Sequence, residues 1–142
     1  MAWDGRPFGG AKIALFCGSR VVAYRRDEKA DLPFSGLWDL PGGGREGVES
    51  PVSCALRKVE EEFGITLTQD RVRSLRRYES AVGGRLDSYF CVADITPQEA
   101  ERIRFGDEGQ HWRLMEASEF LRLEDAVPDM KHRLRTFLAS RF

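Results

Sequence analysis

The stretch from Gly42 to Ile65, GGGREGVESPVSCALRKVEEEFGI, constrains this chain more than any other part of it. Ser50 followed by Pro51 is a helix start: a hydroxyl N-cap, then proline at the first helical position, where its missing N–H costs nothing. Gly64 is the matching stop, because glycine takes the left-handed conformation that ends many helices. Between them, at roughly 100° per residue, Val52, Leu56, Val59 and Phe63 share one face, the pattern of a helix laid on a core. Lys58, Glu61 and Glu62 fall on a different arc, flanked by Arg57, while Glu60 points away from it.

Two adjacent carboxylates facing one way repel each other, and either separation or a cation relieves them. Hard oxygen ligands suit Mg²⁺, which keeps several waters and takes further ligands from substrate phosphates. Taken alone, Glu60–Glu62 also reads as a solvated acidic run, since glutamate is a strong helix former. The fixed spacing around them adds more. From Gly43 the chain reads Gly, five residues, Glu49, seven residues, Arg57, Lys58, Val59, one residue, Glu61, Glu62, one residue, Gly64, Ile65. This resembles the signature of the Nudix hydrolases, enzymes that cut a phosphoanhydride joined to a nucleoside or similar group. One position departs from it: Lys58 stands where the family carries a glutamate.

The resemblance implies an α/β fold, the Nudix α/β/α sandwich with a central mixed β-sheet, formed by residues 1–142 as one domain. It implies a Mg²⁺ site, with Mn²⁺ as a substitute, held by the Gly42 carbonyl, Glu61, Glu62 and Glu108. Phe105-Gly106-Asp107-Glu108-Gly109-Gln110, followed by Trp112, resembles the MutT-type subgroup, in which the glutamate of this loop reaches back to the metal as ligand and base. Glu108, Glu61, Glu62 and Arg57 are therefore the catalytic candidates. Within that set, Arg57 is expected to pair with Glu49 and tie loop to helix. Arg25 and Arg26 stand where MutT-like proteins direct basic residues at substrate phosphates, and strand alternation lets only one of them face the cleft. Phe34, Trp38 and Asp129 are candidate base contacts, with core or surface packing as the alternative for each.

The implied reaction is attack of water on a phosphorus of a metal-chelated diphosphate. Lys58 alters it, because a charged lysine has three donors and no acceptor and can be neither ligand nor base. One turn from Glu61 and Glu62, its ammonium is expected to form a salt bridge that competes with a second metal. Either another carboxylate (Glu108, Glu49 or Glu46) serves as base, or the enzyme is slow, or the domain binds a nucleotide without cutting it. Downstream of the motif, Ser80-Ala81-Val82-Gly83 carries neither the tyrosine of dinucleoside polyphosphate hydrolases nor the proline of ADP-ribose enzymes. The default is thus a (d)NTP cleaved to monophosphate and pyrophosphate. The rivals are a non-catalytic nucleotide sensor or protein-binding module on the same fold, and a hydrolase of another diphosphate such as a nucleotide sugar.

The remaining sequence is consistent with one globular domain: 142 residues, 42% of them hydrophobic. A net charge of −1 argues against a nucleic-acid polymer or an anionic membrane as main partner and leaves a small-molecule nucleotide. There is no apolar run of transmembrane length, and MAWDGRPFGG lacks the regions of a signal peptide. Cys17, Cys54 and Cys91, odd in number and widely spaced, read as reduced thiols of a cytoplasmic protein. Strands are expected over Lys12–Cys17, Val21–Arg26, Ser74–Val82, Leu86–Ile95 and Gln110–Met115, the third and fourth forming a hairpin about Gly83-Gly84. Helices are expected at Pro97–Arg102 and Pro128–Ser140. His111 and His132 have no partners at ligand spacing and are expected to play no catalytic or metal role.

Overall fold

The computed structural model describes residues 3–80 and 83–140. Among these, seven strands form one mixed sheet: β1 (Gly10–Cys17), β2 (Arg20–Arg25), β3 (Trp38–Asp39), β4 (Gly42–Gly44), β5 (Val72–Tyr78), β6 (Ser88–Asp94) and β7 (His111–Glu116). The helices are α1 (Pro51–Phe63), α2 (Pro97–Glu101), α3 (Ala117–Arg122) and α4 (Pro128–Ala139). β1 is central. It runs parallel to β6, and it is covered on both faces, which is why Ile13-Ala14-Leu15-Phe16 is apolar without alternation.

The other edge of β1 is shared, and that sharing creates the site. β1 pairs with β2 at Phe16 and Cys17 and with β4 at Gly10–Lys12. β2 pairs with β7 along one edge and with β3 at Tyr24 and Arg25 on the other. The two strands therefore part beyond their hairpin, and the segment from Trp38 to Gly44 fills the opening.

Two apolar layers flank the sheet. Ile13, Leu15, Val22 and Cys91 pack against Leu56, Val59 and Phe63 of α1 and Ala100 of α2. Ala14, Phe16, Val21 and Ala23 pack against Phe120 of α3 and Met130 and Leu134 of α4. This is the α/β/α sandwich with a mixed sheet that the sequence implied. Each large apolar side chain fully buried here contributes about 1.5–3 kcal/mol.

Helix α1 is capped as its sequence indicates. The Ser50 side chain accepts from the Ser53 N–H at 3.2 Å, and Gly64 closes the helix at φ 70°. Its covered arc is wider than the four-residue stripe, taking in Cys54, Ala55 and Glu62 while leaving Val52 half-buried. The expected hairpin is present, with β5 antiparallel to β6 and beginning at Val72; Ala81 and Val82 lie outside the described residues. β5 is an edge strand, and its outward arginines Arg73, Arg76 and Arg77 discourage pairing with another chain. Helix α2 carries a full capping box between Thr96 and Glu99. Helix α3 was not read from sequence, because six residues without a side-chain cap give too little periodicity. Among the described residues no helix is long and apolar enough to cross a membrane.

Candidate active site

The turn that feeds α1 requires glycine at Gly42. Its φ is 123°, and a Cβ there would stand 2.3 Å from the Ala11 carbonyl oxygen of β1. We expect Gly42→Ala to lower stability by several kcal/mol, read as a fall in denaturation midpoint, since both the backbone angle and the contact are refused.

Arg57 clamps this turn to the helix. Its Nε and Nη2 donate to the two Glu49 carboxylate oxygens at 3.0 and 2.8 Å, and Nη2 also donates to the Gly44 carbonyl at 2.8 Å. Nη1 donates to Glu61 Oε1 at 3.1 Å. The expected Glu49–Arg57 pair is thus present and bidentate. Arg57 holds the Glu49 carboxyl down at about 2, and Arg71 does the same for Glu99. For a depressed carboxyl, the stabilisation is present above its unfolded value near 4.5 and is lost as pH falls through the folded value. An acid titration of Tm should therefore show its steepest loss between about pH 4.5 and 2.

Glu61, Glu62 and Glu108 converge. Glu62 is 5% exposed, and its Oε1 is buried with no hydrogen-bond partner. Glu108 comes from the loop after α2, which is tied to the end of α1 by Arg104 N–H on the Phe63 carbonyl and Gly106 N–H on the Glu62 carbonyl. At the other end of the loop, Gln110 N–H donates to the Arg25 carbonyl of β2. Between the carboxylates stands Lys58, its Nζ 3.5 Å from Glu62, 3.5 Å from Glu108 and 3.9 Å from Glu61. Burial pushes the Glu62 carboxyl up to about 7, with the neighbouring Glu108 reinforcing the shift. Glu108 itself is held below its usual value, chiefly by its hydrogen bond with Glu62. Burial works against the Lys58 charge, but Glu62, Glu108 and Glu61 outweigh it and raise its pKa.

The residues of this cluster suit a divalent cation chemically: hard carboxylate oxygens, one of them buried and unpartnered. Among the described residues no three His, Cys, Asp or Glu side chains already form a metal-ligating group, and the Lys58 ammonium lies between the carboxylates. The Gly42 carbonyl faces Lys12, whose Nζ lies 3.4 Å away.

A second cluster lies in the opening between β1 and β2. Asp39 is 2% exposed, and its Oδ2 accepts from Lys12 Nζ and Arg26 Nη1, each at 3.0 Å, and from the Tyr24 hydroxyl at 3.4 Å. Two cations thus share one carboxylate. Lys12 and Asp39 were not among the sequence candidates, because only the parting of β1 and β2 brings them together.

Arg26 lines two adjoining cavities. One, of about 200 Å³, reaches Glu108 and Gly109; the other, of about 360 Å³, is lined by Lys12, Phe34, Asp39, Gly43, Asp129 and Arg133 among others. Phe34 is 49% exposed and holds a left-handed backbone, φ 56°. Two larger hollows, about 690 Å³ beside Trp112 and 780 Å³ beside Gly64, contain none of the candidate site residues.

Two candidates do not join the cleft. Arg25 points to the other face of the sheet, donating to the Gly36 carbonyl at 3.0 Å and lying 3.5 Å from Asp125, because strand alternation turns it away from Arg26. Trp38 is 7% exposed and belongs to the layer beneath α3 and α4, so its ring is unavailable to a base. His111 packs edge-on against Trp38, and His132 against Tyr78.

A family model described as NUDIX domain matches residues 9–137. The RNA pyrophosphohydrolase of Acidiphilium cryptum (strain JF-5) is 37% identical over 60 residues, 42% of this chain and 35% of that protein. The 8-oxo-dGTP diphosphatase of Proteus vulgaris is 37% identical over 51 residues, 36% of this chain and 44% of that protein. The chain thus spans less than half the length of these curated relatives. Among solved structures, a bifunctional NMN adenylyltransferase/ADP ribose pyrophosphatase from Francisella tularensis superposes with a TM-score of 0.75 at 20% identity, covering 98% of this chain and 42% of that one. At that identity the likeness is one of fold.

Proposed function

The chain belongs to the NUDIX domain family, and from that premise we propose that it is a divalent-cation-dependent pyrophosphohydrolase of small nucleotides, cutting a (d)NTP to its monophosphate and pyrophosphate. The observation that carries this reading is Glu62: a buried carboxylate with one unpartnered oxygen, set between Glu61 and Glu108 beside a cleft that holds Lys12 and Arg26. Glu61, Glu62, Glu108 and the Gly42 carbonyl would hold the cation, with Mg²⁺ the physiological choice and Mn²⁺ a substitute. When bound, it would lower the pKa of the attacking water and offset charge on the leaving phosphate.

The protein's own groups do the rest. Lys12 and Arg26, two cations on one carboxylate, present surplus positive charge to the phosphates. Glu108, mostly exposed on a loop tied down at both ends, is placed to accept the water proton. Phe34 and Asp129, on the walls of the 360 Å³ cavity, contact the base, the ring by stacking and the carboxylate by accepting hydrogen bonds. Arg57 acts by position, holding the turn and Glu61. The same reading takes residues 1–142 as one domain working in the reducing cytoplasm, in keeping with three unpaired cysteines.

A panel of nucleoside triphosphates, ADP-ribose, a dinucleoside tetraphosphate and a nucleotide sugar, each with Mg²⁺ or Mn²⁺, tests the substrate class. Triphosphates should give monophosphate and pyrophosphate in equal amounts. Faster turnover of a sugar or dinucleotide substrate moves the assignment to that diphosphate. The contacts of Lys58 with all three carboxylates favour one second reading, a sensor that binds nucleotide without cutting it. Its signature is nucleotide-dependent stabilisation with no product.

A further inference from the structure

The Lys58 side chain is delivered into the carboxylate cluster by the backbone opposite it. A Cβ on Gly43 would stand 2.7 Å from Lys58 Cε, so the glycine lets the end of the lysine lie against the backbone, and a larger residue would make that end shift. A lysine near a surface ordinarily extends its ammonium into water. Here the side chain is 14% exposed, and its Nζ lies within 4 Å of three separate carboxylates. Other nearby cations are engaged elsewhere: Lys12 and Arg26 with Asp39, and Arg57 chiefly with Glu49. Even so, Glu62 keeps one buried oxygen with no partner.

Charge counting turns this geometry into a stoichiometry. Glu61, Glu62 and Glu108, when ionised, bring three negative charges to one place, and Lys58 cancels one of them. The two that remain match a single divalent ion. A second divalent ion would add two positive charges close to a fixed ammonium, while the next carboxylates, Glu49 and Glu46, already lie on Arg57.

We propose that Lys58 is a tethered cation that fills one cation place of this cluster, so that the free protein takes up one divalent ion, beside Glu62, and no second. The inference rests on reading the cluster as the metal site. It assigns Lys58 a positioning role, as a permanent counter-ion holding Glu61 and Glu108 over Glu62 while the single metal comes and goes.

Counting Mn²⁺ bound to the nucleotide-free protein at pH 7.5, by the loss of its free electron-paramagnetic-resonance signal, tests this. Wild type should bind one Mn²⁺ per chain. Lys58→Glu should bind two. Lys58→Met, which adds no ligand, should tighten Mn²⁺ by about tenfold or more through loss of a neighbouring positive charge. Wild type binding two ions, or Lys58→Met binding Mn²⁺ no tighter than wild type, would overturn the proposal. Should Lys58→Glu fail to fold, which a melting curve with and without Mn²⁺ reveals, Lys58→Met decides alone. Because the count needs no turnover, the two readings fail separately. One bound Mn²⁺ with no hydrolysis would leave the tethered cation standing and defeat the hydrolase, and hydrolysis with two bound ions would do the reverse.

Discussion

Glu62→Gln is expected to cut turnover by about 10²–10⁴-fold, the range seen when a positioned catalytic carboxylate is removed, while leaving the fold intact or improving it. The amide has the same shape, so packing against the sheet is retained. It can no longer bind a hard cation as an anion, nor supply the charge that balances one. Stability should move the other way. The Glu62 carboxyl is pushed up to about 7, mainly by burial, so the folded state holds its proton more tightly than the unfolded chain. For a raised pKa, that contribution is complete below the unfolded value near 4.5 and disappears as pH rises through about 7. Glutamine behaves as a permanently protonated Glu62. The metal-free variant should melt a few degrees above wild type at pH 8 and match it near pH 5, as scanning calorimetry at both pH values would show. Excess Mg²⁺ or Mn²⁺ should erase the difference by stabilising wild type alone. A variant both inactive and unstable at pH 8 would instead mark Glu62 as a structural group.

Arg57→Ala should be the most damaging side-chain truncation outside the carboxylates, and it should act on both stability and rate. It removes both guanidinium donors to Glu49, a donor to the Gly44 carbonyl and the contact to Glu61 in one step. Glu49, 14% exposed with Arg57 in place, loses its cation. Breaking a well-buried pair costs about 3–5 kcal/mol, and partial solvent access around Arg57 brings the expected loss to about 2–3 kcal/mol. Turnover should fall further than folding alone explains, because the released turn carries Gly42 and Gly43, the backbone that passes under Lys58. Arg57→Lys discriminates the causes. An ammonium keeps the charge but cannot form the bidentate fork, so it should recover less than half of the lost stability in urea unfolding. Full recovery would show that charge alone matters at this position.

The parts of this protein that were legible in the sequence are those specified locally. Helix α1 could be read because Ser50, Pro51 and Gly64 punctuate it and its apolar residues recur at helical spacing. The Glu49–Arg57 pair followed from the resemblance and from two residues whose chemistry admits few other partners at that spacing. Glu108 is a different case. Nothing in the local pattern of a polar loop sends it to α1; the resemblance pointed to it, and the backbone bonds of Arg104, Gly106 and Gln110 account for its position. Lys12 and Asp39 were illegible because they meet only where β1 and β2 part, a non-local event that no single segment encodes. Strand alternation showed that one of Arg25 and Arg26 faces the cleft, but which one depends on the register of β2 with β3, in which Arg25 pairs with buried Trp38. Trp38 itself shows the ambiguity of aromatic residues: the same ring suits a base platform or a core, and here the sheet places it beneath α3 and α4. The burial of Glu62 was the least expected feature. A carboxylate counted on the polar arc of α1 lies under the Glu108 loop, and this is what leaves an oxygen without a partner.

The most direct single measurement is pyrophosphate release from a nucleoside triphosphate by wild-type protein, with Mg²⁺ and then with excess chelator, alongside Glu62→Gln under the same conditions. Steady pyrophosphate formation that stops with chelator, and that Glu62→Gln lacks, is the outcome expected of a metal-dependent hydrolase built on Glu61, Glu62 and Glu108. Nucleotide binding, seen as a raised melting temperature, with no pyrophosphate or phosphate formed under either metal condition would contradict it and identify the cleft as a binding site.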